Sequence, residues 1–257
     1  MIKKQLMKHL NKKIVIAIVL SAITSLEIEA QSTGSAIDLG LSVYWASCNV
    51  GAKSPEDIGG YYAWGETEEK ELYSYNYTHA DSESSFHDIG TDISDSKYDV
   101  AKAKWGGSWR MPTKAECNEL QTRCTWSWTN RGGVNGALVT GPNGNSIFLP
   151  AGGRKYGDKG LRDLGEYGCY WSSTLSSNIG TNSSAQFLLF YSGGKNLEGR
   201  NRINGMTIRP VTSEATGVRS VCIVDISSQQ SYSISGQRLS QPRKGLNIVD
   251  GRKVVVK

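Results

Sequence analysis

The stretch from Ala101 to Cys124, AKAKWGGSWRMPTKAECNELQTRC, constrains the fold of this chain more than any other. Thr113 and Glu116 have the S/T-x-x-E spacing of a capping box, in which the hydroxyl accepts from the backbone N–H three residues on and the carboxylate reaches back. The spacing predicts a short helix that begins at Thr113. One narrow stripe of this helix faces inward, and it consists of Cys117, Leu120 and Cys124.

A shorter helix is predicted just before this one, over residues 97–105, and Gly106 and Gly107 end it. The stretch 105–116, which joins the two helices, contains two tryptophans, an arginine and a glutamate. We interpret its residues as groups that fix the entry to the second helix, not as reactive groups. These structural residues are Trp105, Trp109, Arg110, Pro112, Thr113 and Glu116.

Short apolar runs separated by glycine- and asparagine-rich turns predict antiparallel strands. Residues 66–95 and 151–169 show no periodicity and are predicted to be long surface loops. The fold class is therefore α+β, with two short helices, antiparallel sheets and long loops. The predicted strands cover residues 37–50, 59–65, 125–129, 137–140, 146–150, 170–174, 185–191 and 205–211, and a polar turn is predicted to lead from the seventh strand through Arg202.

The first thirty residues have the composition of a secretory signal peptide. Lysines precede the apolar run 14–23, which is too short to span a bilayer and ends near the small residue Ala30. A membrane anchor is the less favoured alternative, so no transmembrane span is expected after cleavage. Residues 31–35 form a short polar linker.

The formal charge of +5 is unevenly distributed along the chain. The leader and residues 218–257 are basic, whereas residues 31–217 hold 17 basic and 20 acidic residues. The main domain is thus slightly acidic and offers no electrostatic case for nucleic-acid binding.

Export permits disulfides, and all five cysteines follow the leader. Cys117 and Cys124 lie two turns apart on one helix and cannot bridge each other without melting it. We favour the pairs Cys48–Cys124 and Cys117–Cys169, with Cys222 left over. Buried, unpaired thiols remain the alternative.

Residues 218–257 form a small, β-rich C-terminal tail. Its predicted strands cover 221–226, 232–234, 246–249 and 253–256, with a strong hairpin signal at Asp250-Gly251. The stability of a core this small is marginal by itself, so the tail should pack against the main domain or pair with a partner by strand addition.

Five motifs occur in the order of one known family: DLGLSVYWASCNVGA, YYAWGE, WGGSWRMPTKAE, YWSST and TIRPV. On these, residues 36–213 resemble the Fibrobacter succinogenes major paralogous domain family of Bacteroidetes surface proteins. That family is similar to the C-type lectin-like superfamily, which includes formylglycine-generating-enzyme-like domains, and the resemblance implies a C-type lectin-like fold. The chain departs from the family pattern by having Cys117 and Cys169.

The tail resembles sorting segments that the type IX secretion apparatus reads. This resemblance implies a protein that is secreted or displayed on the outer-membrane exterior. A β-extension that only packs on the main domain is the alternative.

In lectin-like domains that resemble this one, irregular loops after the YWSS motif contact the ligand. The resemblance therefore implies a non-catalytic binding or adhesion module that uses loops 176–182 and 195–204 to bind an extracellular glycan or protein, without a cofactor. Turn formation alone is the competing explanation for any single asparagine. The candidate ligand-binding residues are Trp171, Asn178, Asn182, Tyr191, Lys195, Asn196, Arg200, Asn201, Arg202 and Asn204.

Two other functions are weighed against this one. A structural subunit of a surface appendage would use the tail strands for assembly. An enzyme of the formylglycine-generating kind would need a cysteine pair near the end of the domain, where only Cys169 occurs. The polar residues His79, Asp81, His87 and Asp88 have no spacing that enforces convergence, so no metal site is predicted.

Overall fold

The computed structural model describes residues 34–74, 76–82, 85–157, 160–176, 182–214, 231–233, 238–239, 244–249 and 252–256. The predicted signal peptide, most of the linker and Cys222 lie outside these residues. Within the described part of the chain, no helix is long and apolar enough to cross a membrane.

Among the residues that the structure describes there are two short helices, α1 (Val100–Trp105) and α2 (Lys114–Arg123). The predicted capping box is confirmed: Glu116 N–H donates to Thr113 Oγ1 at 3.2 Å, and Thr113 N–H donates to Glu116 Oε2 at 2.8 Å. Helix α1 begins later than predicted because the Asp99 side chain accepts from Lys102 N–H and caps the helix there.

The residues that connect the two helices contact one another and the neighbouring sheet. Arg110 forms a two-pronged ion pair with Glu116, with Nη1 at 2.8 Å from Oε2. The Trp105 and Trp109 rings pack edge to face at 5.2 Å, and the Pro112 carbonyl accepts from Ser173 N–H at 2.8 Å. These contacts tie the entry of α2 to the sheet behind it.

Two three-stranded antiparallel sheets form the body of the domain. One joins β5 (Thr125–Arg131), β6 (Val134–Thr140) and β7 (Ser146–Pro150). The other joins β10 (Tyr167–Leu175), β11 (Ser184–Tyr191) and β12 (Gly194–Asn201). The α+β class with mostly antiparallel sheet is therefore present as predicted.

A third sheet brings the two ends of the domain together. Strand β2 (Tyr44–Ala46) lies between β1 (Ala36–Ile37) and β13 (Val211–Thr212). The predicted strand 59–65 is wrong: among the described residues this segment forms a single isolated β-bridge, from Tyr62 to Met206, and no strand. Gly59 and Gly65 both have positive φ, so the backbone bends at each end of the segment.

The two predicted surface loops contain small hairpins. Strands β3 (Ala80–Ser82) and β4 (Ser85–Phe86) pair within 66–95, and β8 (Arg154–Lys155) pairs with β9 (Leu161–Arg162) within 151–169. The first loop is also not purely a surface feature, because Tyr73, Tyr77 and Ile93 are buried in it.

The predicted tail strands near 232, 246 and 253 correspond to β14 (Ser231–Ser233), β16 (Gly245–Val249) and β17 (Arg252–Val256), and β15 (Arg238–Leu239) is additional. These strands form a separate antiparallel sheet in the order β15-β14-β16-β17. The predicted strand 221–226 and the turn at Asp250-Gly251 lie outside the described residues.

The hydrophobic core lies on both faces of the β10–β12 sheet. Trp171 and Phe187 belong to one cluster, and Tyr170, Leu188 and Phe190 belong to another. The second cluster also contains the inward stripe of α2, as its spacing predicts.

The predicted disulfides are not formed. Cys48, Cys117, Cys124 and Cys169 are all free and buried. Cys117 and Cys124 belong to the cluster beneath α2, Cys169 to the cluster on the opposite face, and Cys48 to a third cluster with Trp105. Each thiol fills apolar space in its own part of the core, so the alternative of buried, unpaired thiols describes all four.

Candidate functional site

The predicted ligand loop 195–204 is mostly a strand. Residues 194–201 form β12, which pairs along its whole length with β11 from Ser184↔Asn201 to Tyr191↔Gly194. The polar turn predicted here is wrong. Strand β12 is an outer strand whose residues are mostly polar, so the apolar alternation by which strands are recognised in a sequence is not visible in it. Asn178, in the other predicted loop, lies outside the described residues.

Three of the predicted ligand-binding residues are buried and cannot reach a ligand. Trp171 is 0% exposed, and its Nε1–H donates to the Tyr62 carbonyl at 3.0 Å. Asn204 is 3% exposed, and its amide donates to the Asn201 carbonyl at 2.8 Å. Arg202 is 0% exposed.

Arg202 is a structural residue. Its Nε donates to Tyr77 Oη at 2.9 Å, and its Nη1 donates to the carbonyls of His87 and Asn182 at 3.0 and 2.9 Å. Its guanidinium carbon lies 4.8 Å from the centre of the Trp64 ring. Arg202 thus ties the end of β12 to the 66–95 segment. Asn182 contributes a backbone carbonyl and has a φ of 50°, so it fits the turn explanation.

The sheet register divides the other predicted residues between two faces. Lys195 and Asn201 lie on the face of Phe190, where the Lys195 carbonyl accepts from Gln121 Nε2 at 3.0 Å. Three predicted residues share the opposite face of the sheet, which also carries Phe187 and Leu189. These three are Tyr191, Asn196 and Arg200.

This second face has an aromatic end that the core does not cover. The Tyr191 ring is 40% exposed and lies 5.4 Å from the Tyr167 ring. Asn196 is exposed on the neighbouring strand, and the Arg200 guanidinium carbon lies 5.6 Å from the centre of the Phe187 ring. We call Tyr167, Tyr191, Asn196 and Arg200 the tyrosine face.

Sequence reasoning missed a second site, a surface pocket of about 520 Å³. It lies where the GETEEK run meets the residues before β3 and before α1, and we call it the 65–98 pocket. Its clustered Glu, Thr, His and Tyr residues were a signal, but they occur in segments without periodicity. The lining residues are Gly65, Glu66, Thr67, Glu68, Glu69, Lys70, Thr78, His79, Lys97 and Tyr98.

His79 is held as a neutral ring in this pocket. Its Nε2 lies 3.0 Å from the Gly65 carbonyl, which only accepts, so Nε2 carries the proton. Burial lowers the pKa of His79, although the Gly65 contact and the nearby Glu66 oppose the shift. The ring packs edge-on against Tyr77 and Tyr98, with centroids 5.5 and 5.1 Å away. His79 is therefore a neutral part of the pocket wall, and its Nδ1 is a hydrogen-bond acceptor.

Ion pairs fix the acidic segment of the pocket. Glu66 pairs with Lys70 at 2.7 Å, and its other oxygen accepts from Thr78 N–H at 2.7 Å. Glu68 pairs with Lys104 of α1 at 2.7 Å. The segment 65–70 is thereby tied to Thr78 of the pocket wall and to helix α1.

Comparison of the chain with family models, with curated proteins and with solved structures finds no match in any of the three.

The polar histidine segment does not assemble a metal site in the part of the chain that the structure describes, where no three metal-ligating side chains converge. His87 instead pairs with Asp81 at 2.9 Å on the surface, while His79 turns to Gly65.

Proposed function

We propose that this chain is a secreted or surface-displayed, non-catalytic binding module that contacts an extracellular glycan or protein through the tyrosine face. The observation that carries the proposal is the pair of adjacent tyrosine rings beside exposed Asn196, with Arg200 further along the same face of β12. Tyrosine and arginine dominate the energetics of recognition surfaces, and asparagine adds adaptable hydrogen bonds.

The fold proposed for residues 36–213 is C-type lectin-like, as in the Fibrobacter succinogenes major paralogous domain family. The order of the five motifs supports this assignment. The pairing of β1 and β13 with β2 agrees with it, because it makes this region one closed unit.

The buried thiols favour binding over formylglycine-generating chemistry. That chemistry needs reactive cysteines, and thiolate formation requires a low pKa. Burial raises the pKa of Cys169 to about 12, so its thiol stays protonated and inert.

Arrays of glycans and of extracellular proteins, probed with the full chain, test the proposal. Tyr191→Ala and Asn196→Ala should each weaken binding at least about tenfold if these side chains are central to the contact. Tyr156→Ala is the matched control, since Tyr156 is 47% exposed and lies outside the tyrosine face. Binding that survives both face substitutions would count against the proposal, and so would arrays without any bound partner.

The appendage alternative draws on the tail. Strands β15 and β17 are the outer strands of the tail sheet, and outer strands can accept a further strand from a neighbouring chain. Deletion of residues 218–257 separates the two functions. A binding module should keep ligand affinity and lose its surface localisation, whereas an appendage subunit should lose assembly.

A further inference from the structure

The 65–98 pocket has no excess of charge. Three glutamates line it, and two of them are already paired, Glu66 with Lys70 and Glu68 with Lys104. The third, Glu69, makes no ion pair with the described residues, but Lys97 also lines the pocket, so three glutamates are matched in number by Lys70, Lys97 and Lys104. A cation or an anion gains little from such a balanced set of charges, because each attraction is offset by a nearby repulsion.

The pocket nevertheless offers many polar groups. Among the described residues, no hydrogen bond is made by the side-chain oxygens of Thr67, Thr78 and Tyr98 or by Nδ1 of His79. Hydroxyl groups both donate and accept, and the imidazole Nδ1 accepts. These groups are therefore suited to ligand atoms that also both donate and accept.

Aromatic rings give the pocket an apolar wall. Tyr98 and His79 pack edge to face, and the Lys97 ammonium lies 5.0 Å from the centre of the Tyr98 ring. Small-molecule sites commonly combine apolar walls with a few convergent polar groups, and a volume of about 520 Å³ is within their usual range.

We propose that the 65–98 pocket binds a neutral, hydroxyl-rich ligand, a single sugar residue of a glycan, directly through its side chains. A pyranose presents hydroxyls that donate and accept around an apolar ring face. The hydroxyls match the polar groups of the pocket, and the apolar ring face matches its aromatic wall. The neutrality of the sugar matches the balanced charges of the pocket. This site shares no residue with the tyrosine face.

Saturation-transfer NMR on the full chain tests this inference. The probes are glucose, galactose, mannose, N-acetylglucosamine, fucose and xylose, with acetate and glycine as charged comparisons. At least one sugar should bind with a dissociation constant in the millimolar range and keep its affinity in EDTA. Acetate and glycine should not bind.

Variants that remove one hydroxyl each locate the binding. Thr78→Val and Tyr98→Phe should each weaken sugar binding about three- to tenfold, which corresponds to one lost hydrogen bond. Thr125→Val and Tyr156→Phe are matched controls on exposed residues outside the pocket and should leave it unchanged.

Three outcomes would overturn the inference. They are no binding of any sugar in the panel, sugar binding that Thr78→Val and Tyr98→Phe leave intact, and loss of binding in EDTA. Tyr191→Ala should not affect sugar binding in the 65–98 pocket. Failure of this inference and failure of the proposed tyrosine-face function are therefore distinguishable.

Discussion

Replacement of Glu116 by Gln tests whether the contacts of Glu116 at the start of α2 stabilise the fold. Glu116 accepts from both terminal nitrogens of Arg110 and from Thr113 N–H. The Arg110 and Glu116 side chains are only 22% and 12% exposed, so solvent screens this pair weakly. Glutamine keeps the shape and one acceptor, but it removes the charge and one of the two guanidinium bonds.

The expected loss of stability is about 2 kcal/mol. Exposed ion pairs contribute about 0–1 kcal/mol and a hydrogen bond to a charged group about 1.5–3 kcal/mol, and the substitution removes one bond of the second kind from a partly buried pair. In a domain of this size each kcal/mol shifts Tm by about 2–4 °C, so E116Q should melt about 4–8 °C lower. Glu71→Gln is the control, because Glu71 is exposed and has no ion pair with the described residues.

The effect should also depend on pH. Burial raises the pKa of Glu116, but the bonds from Arg110 and Thr113 outweigh burial and hold that pKa below its ordinary value of 4.5. The stabilisation is therefore fully present above pH 4.5 and is lost as the pH falls through the folded-state pKa. Urea unfolding of both proteins at several pH values measures this difference. A gap between them that stays constant well below pH 4.5, or that persists in an Arg110→Met background, would refute the ion-pair explanation.

Three further predictions concern groups away from the joint. Arg202→Leu should cost about 3 kcal/mol in urea unfolding, because it leaves the carbonyls of His87 and Asn182 without their donor and removes the bond to the Tyr77 hydroxyl; a stable variant with weakened ligand binding would instead restore Arg202 as a contact residue. The pKa of His79 should be below 6.5 in an NMR titration, and its contribution to stability should fall as the pH drops below 6.5, because the unfolded chain takes up the proton more readily. In the absence of reductant, iodoacetamide should modify the thiols of Cys48, Cys117, Cys124 and Cys169 after unfolding but not in the native chain. Recovery of any of these four cysteines in a disulfide would contradict the structure.

The sequence was most informative where a local rule determines the structure. The capping box at Thr113 and Glu116 depends on residues three positions apart, so helix α2 could be placed without knowledge of the rest of the fold. Strands β5, β6 and β7 were similarly readable, because turn residues bound each of them. The two-faced character of the β10–β12 sheet follows from alternation once the strands are known.

Strand β12 could not be identified in this way. Its sequence, GKNLEGRN, is polar and contains two glycines, which is typical of a turn. It is a strand because it pairs with all of β11, a tertiary effect that overrides local propensity. The 65–98 pocket was missed for a related reason, since it joins three segments that are separate in the sequence and meet only in the folded chain.

The buried arginines explain why candidate ligand residues are easily misassigned in this chain. Arg209 is 1% exposed and donates to the carbonyls of Ala46 and Phe148 and to the Asn49 side chain, at 2.7 to 2.9 Å. Arg202 serves irregular backbone in the same way. Loop-rich domains leave many carbonyls without a strand or helix partner, and a guanidinium with five donors satisfies several at once. An arginine beside asparagines in such a chain is therefore as consistent with holding loops in place as with binding, and only burial separates the two.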